Sequence, residues 1–148
     1  MTAVPFLLAD FNIAIPANNV AQSLLTISTG NNVRTKVKSI RIDLFGAPSG
    51  SAPARIEVCR TNSAGAGTTA VLLKQHPYDP ETLRTTGKIK LTGEPSVPAT
   101  LDQTFCSPYS GSVTFDAADY HVVGGDSLSV RVFSAVACTA HVYLAGEE

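Results

Sequence analysis

The sequence predicts an all-β fold, a single-domain antiparallel β-sandwich with an extended N-terminal segment. Three observations lead to this prediction. Apolar and polar residues alternate along much of the chain, as they do in strands with one buried face. Turn-forming Gly, Pro, Asn and Asp recur roughly every 8–12 residues, which is typical of sandwiches. The length of 148 residues fits one domain that buries its own core.

The first 16 residues differ in character from the rest of the chain. They contain the apolar runs Phe6-Leu7-Leu8 and Phe11–Ile15, flanked by Pro5 and Pro16. Two interpretations are open: an apolar arm that docks on a partner, or the first strand of the sandwich. We therefore divide the chain into residues 1–16, arm or first strand, and residues 17–148, the β-sandwich domain.

Strands are then predicted in order along the second segment. Val20–Ser28 is bounded by Asn and Gly turn residues. Val33–Val37 and Ile40–Leu44 alternate one residue out of phase, so a β-bulge near Lys38-Ser39 would restore one buried face. Further strands are expected at Ala54–Arg60, Ser112–Phe115, Leu128–Val132 and Ala140–Leu144.

Two pairs of these strands are expected to form hairpins. The Gly-, Pro- and Ser-rich segment Gly46–Pro53 is predicted to connect Ile40–Leu44 to Ala54–Arg60 as paired neighbours. The strands Leu128–Val132 and Ala140–Leu144 are predicted to form a terminal hairpin.

The middle third of the chain is predicted to be rich in loops. Asn62–Thr69, with two glycines, indicates a flexible loop. Only Asp79–Arg84 and Asp116–Tyr120 carry residues typical of helix starts, and each would support about one or two turns.

Charge and composition exclude several function classes. Eleven Lys and Arg against twelve Asp and Glu give a net charge of −1, without the basic excess that a phosphate backbone requires. No apolar run reaches the ~18 residues of a membrane helix, and the N-terminus lacks the charged region of a signal peptide. We therefore expect no nucleic-acid or membrane partner, and synthesis in a cytoplasm. Charged residues make up only 16% of the chain, which suits a protein packed against copies or partners.

The cysteines and histidines indicate neither a metal site nor a cofactor. Cys59, Cys106 and Cys138 form an odd set at wide spacing, so we expect reduced thiols that pack as small apolar groups. His76, His121 and His141 are far apart and match no spacing that preorganises a metal. We expect no metal, no cofactor and no enzymatic activity.

One short motif matches a catalytic signature. Gly125–Leu128 spells the Gly-Asp-Ser-Leu nucleophile signature of a family of serine esterases. In those enzymes the serine follows an early strand of an α/β fold, whereas here it leads into a late alternating strand. We therefore interpret the motif as a Gly-Gly-Asp turn and Ser127 as a strand residue.

A carbohydrate-binding module is the main binding alternative, because sugars stack on exposed aromatic rings. Tryptophan is absent from the sequence. Tyr78, Tyr109, Tyr120 and Tyr143 could serve as stacking rings, and the first two are predicted to lie in loops.

The order of these features resembles small structural proteins of tailed bacteriophages, in particular capsid decoration (cement) proteins and some neck or tail accessory proteins. The resemblance is carried by the apolar segment Thr2–Pro16, the strand Arg55–Arg60 with its Gly- and Thr-rich loop, the turn Thr92–Pro95, and the ending Gly124–Glu148. It implies a jelly-roll-like sandwich, often a trimer, that binds the major capsid protein lattice and stabilises it on the virion surface.

The apolar N-terminal segment is the expected contact with that partner. Extended arms and edge strands attach to a lattice through main-chain hydrogen bonds and need no catalytic group. The partner-binding residues predicted on this basis are Val4, Phe6, Leu7, Leu8 and Phe11.

Overall fold

The computed structural model describes residues 3–78, 80–97, 99–116 and 120–148. Every regular element in these ranges is a β-strand, which confirms the all-β prediction. The strands are β1 (Pro5–Ile15), β2 (Gln22–Ser28), β3 (Arg34–Phe45), β4 (Ala54–Thr61), β5 (Ala66–Ala70), β6 (Leu73–Lys74), β7 (Thr86–Gly93), β8 (Ala99–Cys106), β9 (Ser110–Phe115), β10 (Tyr120–Val123), β11 (Ser127–Phe133) and β12 (Cys138–Glu147).

The strands form two antiparallel sheets that pack face to face, so the predicted β-sandwich is confirmed. Sheet A has the order β10-β3-β12-β1-β6, and β9 pairs with β3 on the same side as β10. Sheet B has the order β5-β7-β2-β11-β4-β8. The first and last long strands, β1 and β12, pair along almost their full length.

The core lies between the two sheets and is built by alternation. In β12, for example, Ala140, Val142 and Leu144 are fully buried while the residues between them are at least partly exposed. The largest fully buried side chains come from both sheets: Phe6, Ile15, Leu24, Leu25, Ile27, Val37, Ile40, Ile42, Leu44, Ile56, Leu128 and Leu144. One continuous apolar cluster holds the sandwich together.

The segment predicted as an arm or a first strand is the first strand. β1 pairs with β12 from Pro5 opposite Glu147 to Ile15 opposite Cys138. Its alternation aims Phe6 and Leu8 into the core, and a bulge after Asp10 shifts the register before Ile13. The chain therefore does not present residues 3–16 as a separate arm.

The bulge predicted near Lys38-Ser39 is confirmed. Between Val37 and Ser39 the pairing of β3 with β12 shifts by one residue, so that Lys38 has no partner position on β12. The extra residue lets Val37 and Ile40 both face the core, although they are three residues apart.

The two predicted hairpins are wrong, because consecutive long strands lie in different sheets. β3 belongs to sheet A and β4 to sheet B, and the same separation divides β11 from β12. The segment 46–53 and the short segment 134–137 therefore cross from one sheet to the other. Alternation identifies the buried face of a strand but does not identify the neighbour to which it hydrogen-bonds.

The middle third contains more strand than predicted. β5 begins inside the expected loop Asn62–Thr69 and extends to Ala70, and the sequence pattern does not predict β7 and β8. Residues 80–85 are irregular rather than helical, and Tyr120 begins β10. Asp116 is irregular too, and the other residues of the two predicted helix starts, 79 and 117–119, lie outside the described residues. The described part of the chain contains no helix able to cross a membrane.

Candidate partner-binding surface

The outer face of sheet A is the side of this sheet that points away from the core. Alternate residues of β1, β12 and β3 project from it, and the strand register places them in rows. Leu7 lies opposite Ala145, and Ala9 lies opposite Tyr143, which in turn lies opposite Arg41 on β3. We use the name outer face A for this surface.

Four rings form an aromatic cluster on outer face A. The Phe11 ring meets the His141 ring at a centroid distance of 5.3 Å and the Tyr143 ring at 5.4 Å, both edge to face. His141 also meets Phe45 at 4.9 Å. These are favourable geometries for aromatic pairs. The cluster joins three strands that are far apart in sequence, and its Phe11 ring is still half exposed.

Polar groups border the aromatic cluster. The Asp43 carboxylate accepts a hydrogen bond of 2.6 Å from the Ser112 hydroxyl and one of 3.1 Å from Arg41. The same Arg41 guanidinium lies 5.7 Å from the centre of the Tyr143 ring, within the range of a cation–π contact. The Asn12 side-chain oxygen lies 3.2 Å from Nε2 of His141. The rings therefore sit beside donors and acceptors rather than in a purely apolar setting.

An apolar groove lies beside the cluster, along β1 and the start of β6. It has a volume of about 280 Å³. Leu7 and Leu73 face each other across the β1–β6 pair and are 49% and 65% exposed. Val71 and Tyr143 complete its rim. Single exposed apolar residues are common on protein surfaces, whereas a contiguous apolar surface of this kind is typical of interaction sites.

The structure separates the five predicted partner-binding residues into two groups. Leu7 and Phe11 lie on outer face A, where a partner can reach them. Val4, Phe6 and Leu8 are no more than 3% exposed and are part of this chain's own core. The period of two residues along β1 is the reason, since adjacent positions of a strand face opposite sides. For these three residues the prediction of a partner contact is replaced by a core role.

Residues that sequence reasoning missed complete the surface. The sequence indicates Tyr143 only as a possible sugar-stacking ring and gives no signal for Phe45 or Leu73. The sequence on either side of these residues carries no motif. They become a site only through the pairing of β12 with β1 and β3, which the sequence pattern did not predict.

Ser127 of the esterase-like motif lies at the start of β11 and is buried. Its hydroxyl shares a 2.7 Å hydrogen bond with the hydroxyl of Ser28 on the neighbouring strand. Gly124 and Gly125 before it both have positive φ, at 58° and 87°, as a tight turn requires. The motif thus has the geometry of a turn that enters a strand.

The three cysteines are buried free thiols. Cys106 and Cys138 belong to the apolar core cluster, whereas the Cys59 thiol lies beside Glu57 and Thr100. Burial raises the pKa of Cys59, Cys106 and Cys138 above that of an ordinary thiol. A raised pKa leaves less thiolate, the reactive form. Among the described residues, His, Cys, Asp and Glu side chains form no group of three or more suited to hold a metal ion.

The four tyrosines that could stack on a sugar differ in their exposure and contacts. Tyr78 is 97% exposed and Tyr109 is about half exposed. Tyr120 donates a 2.7 Å hydrogen bond to Asp102, and burial together with this carboxylate raises the pKa of Tyr120 far above its usual value. Only Tyr143 takes part in the aromatic cluster of outer face A.

Comparison of the chain with protein-family models, with curated proteins and with solved structures finds no match. We therefore infer a function from the fold and from the surface described above.

Proposed function

We propose that the chain is a non-enzymatic structural protein of a tailed-phage virion that binds and stabilises the capsid lattice, with outer face A as its docking surface. The observation that carries this proposal is the row of large exposed apolar side chains on one face of sheet A. Its members are Leu7, Phe11, Phe45, Leu73 and Tyr143, and each is at least 36% exposed.

The energetics of docking favour this surface. Full burial of a side chain such as Leu7 or Phe11 contributes roughly 1.5–3 kcal/mol before the ordering costs of association. Several such side chains close together resemble the central cluster that dominates binding in stable interfaces. The low charged fraction of 16% further reduces the desolvation cost of packing the protein into a lattice.

The strand connections support the jelly-roll expectation. Four neighbouring strands of sheet A, β1-β12-β3-β9, lie against the four strands β2-β11-β4-β8 of sheet B. The chain crosses between the sheets after β1, β2, β3, β5, β6, β8, β10 and β11. Double-sheet jelly rolls of eight strands occur in viral capsid domains and in lectins. The fold alone does not define a function, so the docking surface carries the proposal.

The expected partners are the major capsid protein and further copies of the chain, in a trimer. The test is co-sedimentation of the full chain with purified empty capsids from a panel of tailed phages. A Leu7→Ser, Phe11→Ser double variant removes the exposed groups while leaving the core intact. Tyr78→Ser removes an exposed ring that belongs neither to the aromatic cluster nor to the groove lining, and it is the control.

We expect the unchanged chain and the Tyr78→Ser variant to pellet with capsids and the double variant to stay in solution. Circular dichroism of each variant verifies that the fold is retained. Binding that persists in the double variant would refute outer face A as the docking surface. If the unchanged chain binds none of the capsids tested, the virion function is refuted. Immunogold labelling of virions then distinguishes capsid from neck or tail.

A carbohydrate-binding module is the second candidate, favoured by the aromatic cluster beside Asp43 and Asn12. Rings flanked by carboxylate and amide groups provide both stacking and hydrogen bonding to hydroxyl groups. A glycan array distinguishes the two candidates. Binding to defined glycans that is lost in Phe11→Ser would favour this function, whereas an array without signal would eliminate it.

A further inference from the structure

The half of outer face A next to the aromatic cluster is cationic. Alternate positions of β3 carry Arg34, Lys36, Lys38 and Arg41 on this side of the sheet, with the bulge at Lys38 keeping the row in phase. The carboxylates of the face are Asp43 and Glu147. Glu147 pairs with Lys38 at 2.7 Å, and Asp43 pairs with Arg41 at 3.1 Å.

This face therefore has the opposite sign from the rest of the molecule. Four cations stand against two carboxylates on the outward positions of β1, β3 and β12, whereas the whole chain has a net charge of −1. Two copies stacked through the same face would bring like charges together, which costs free energy at an interface. A symmetric face-to-face dimer is disfavoured for this reason.

The face is large enough for a specific interface. β1, β3 and β12 are 10 to 12 residues long. Together with the six residues of β9, which pairs with β3, these strands cover roughly 600 Å² before side chains widen the surface, at a spacing of about 4.8 Å and a rise of about 3.3 Å per residue. A standard stable interface buries about 800 Å² on each partner. In an interface of this size, the aromatic cluster and the groove would form the apolar centre, and the polar remainder of the face would form the rim.

We infer that the occupant of outer face A is an acidic protein surface, in which an apolar ridge fills the groove at Leu7 and Leu73 and carboxylates face the cationic row of β3. This inference deepens the proposed function and rests on it only for the identity of the partner. It assigns the chemistry of the surface that the capsid protein would present.

A phosphate polymer fits this face less well than an acidic protein does. Asp43 and Glu147 lie among the four cations and would repel a continuous line of phosphates. The apolar half, with Leu7 and Phe11, would also remain unfilled by such a polymer. A protein surface can place separate carboxylates opposite Lys36 and Arg34 and apolar groups opposite the groove.

The experiment uses two short synthetic peptides as probes. In the acidic probe Glu alternates with Leu, and in the basic probe Lys replaces Glu. Each is titrated into the isotope-labelled full chain, and amide shifts are followed by NMR. We expect the acidic probe alone to shift amides of β1, β3 and β12, with an affinity that weakens as salt is raised.

Lys36→Glu is the test variant, and Arg60→Glu is its matched control. Both residues are cations, and Arg60 is an exposed residue of sheet B, so both variants change the net charge equally. We expect Lys36→Glu to weaken binding of the acidic probe about tenfold and Arg60→Glu to leave it almost unchanged. Equal binding of the two probes, or equal effects of the two variants, would overturn the inference.

Two further results keep this inference distinguishable from the proposed function. If the acidic probe maps to outer face A but no capsid binds, the surface chemistry stands and the virion function fails. If the chain alone forms oligomers that Lys36→Glu dissociates, the occupant is a second copy and the inference of a different acidic partner fails. Sedimentation velocity of both chains measures this outcome.

Discussion

At the scale of single residues, polar groups that link distant segments are as important as the apolar core. Thr35 of β3 and Thr85, just before β7, are both buried and share a hydrogen bond between their hydroxyls. The Thr85 hydroxyl also donates to the Glu148 carboxylate at 2.7 Å, and the amides of Arg84 and Thr85 donate to the same carboxylate. This chain of bonds ties the segment before β7 to sheet A.

Thr85→Val should destabilise the fold by about 1–3 kcal/mol, because it leaves the buried Thr35 hydroxyl without a partner and removes a donor from Glu148. The shape of the side chain is conserved, so packing changes little. Thr114→Val, at an exposed position of β9, is the control and should have almost no effect. Urea denaturation of the three proteins measures the difference. Equal unfolding midpoints for both variants would show that the buried bond contributes nothing.

A second residue-scale prediction concerns close packing at Gly146. A Cβ added there would lie 2.8 Å from the Phe6 ring and 2.9 Å from the main-chain oxygen of Lys36, so the backbone of β3 would have to move. We expect Gly146→Ala to cost about 1–3 kcal/mol of unfolding free energy, as overpacking does.

Gly30→Ala is the matched control for Gly146→Ala. No atom lies within 4 Å of a Cβ built on Gly30. Alanine there should be neutral or stabilise the protein by about 0.4–1 kcal/mol, through a lower entropy of the unfolded chain. Thermal unfolding compares the two, and a larger loss for Gly30→Ala would contradict the packing argument.

At the scale of elements, β1 combines the two roles that the sequence left open. Its inward residues Phe6, Leu8 and Ile15 are in the core, while its outward residues Leu7 and Phe11 are exposed on outer face A, the proposed docking surface. A strand supports both roles because its two faces carry separate sets of residues.

Deletion of residues 1–16 should therefore unfold the chain rather than only remove a docking arm. The loss of four buried apolar side chains, Val4, Phe6, Leu8 and Ile15, at roughly 1.5–3 kcal/mol each, approaches the whole stability of a typical domain. The pairing surface of β12 would also be exposed. Circular dichroism and the dispersion of NMR amide signals measure the outcome. A truncated chain that unfolds cooperatively at its original midpoint would contradict this role of β1.

The sequence pattern predicted the faces of strands much better than their neighbours. The bulge at Lys38 could be predicted from the change in phase of the apolar and polar alternation along β3, because this alternation specifies which residues are buried. The partners of β3 and β11 could not be predicted this way, since residues on opposite sheets and residues on adjacent strands show the same alternation. β8 was missed because it is an edge strand, with seven of its eight residues at least partly exposed.

The candidate site shows the same limit. Leu7 and Phe11 were identified because they lie in a conspicuous apolar run, but Val4, Phe6 and Leu8 came from the same run and are core residues. Separating them required the knowledge that the segment is a strand. Phe45 joins the surface only through its pairing opposite Thr139 on β12, which is a property of the tertiary structure.

At the scale of the whole molecule, the buried titratable groups make stability depend on pH in one direction. Burial raises the pKa of Cys59, Cys106 and Cys138, and burial with Asp102 raises that of Tyr120. The folded state therefore holds these protons at pH values where the unfolded chain releases them. The contribution of the three thiols to the free energy of unfolding is fully present below the pKa of an unfolded thiol, about 8.5, and is lost as the pH rises above it.

We expect the free energy of unfolding to decrease steadily from about pH 8 towards pH 10, near and above the ordinary thiol pKa. Replacing the three cysteines with alanine should flatten this dependence, at the cost of a lower stability at neutral pH from the small cavities left behind. Tyr120→Phe should leave the slope below pH 10 unchanged, because an unfolded tyrosine ionises only near pH 10. Urea denaturation at a series of pH values in a reducing buffer measures all three proteins. An equal slope in the cysteine-free protein would show that the thiols titrate alike in the folded and unfolded states, and that burial in this sandwich does not perturb them.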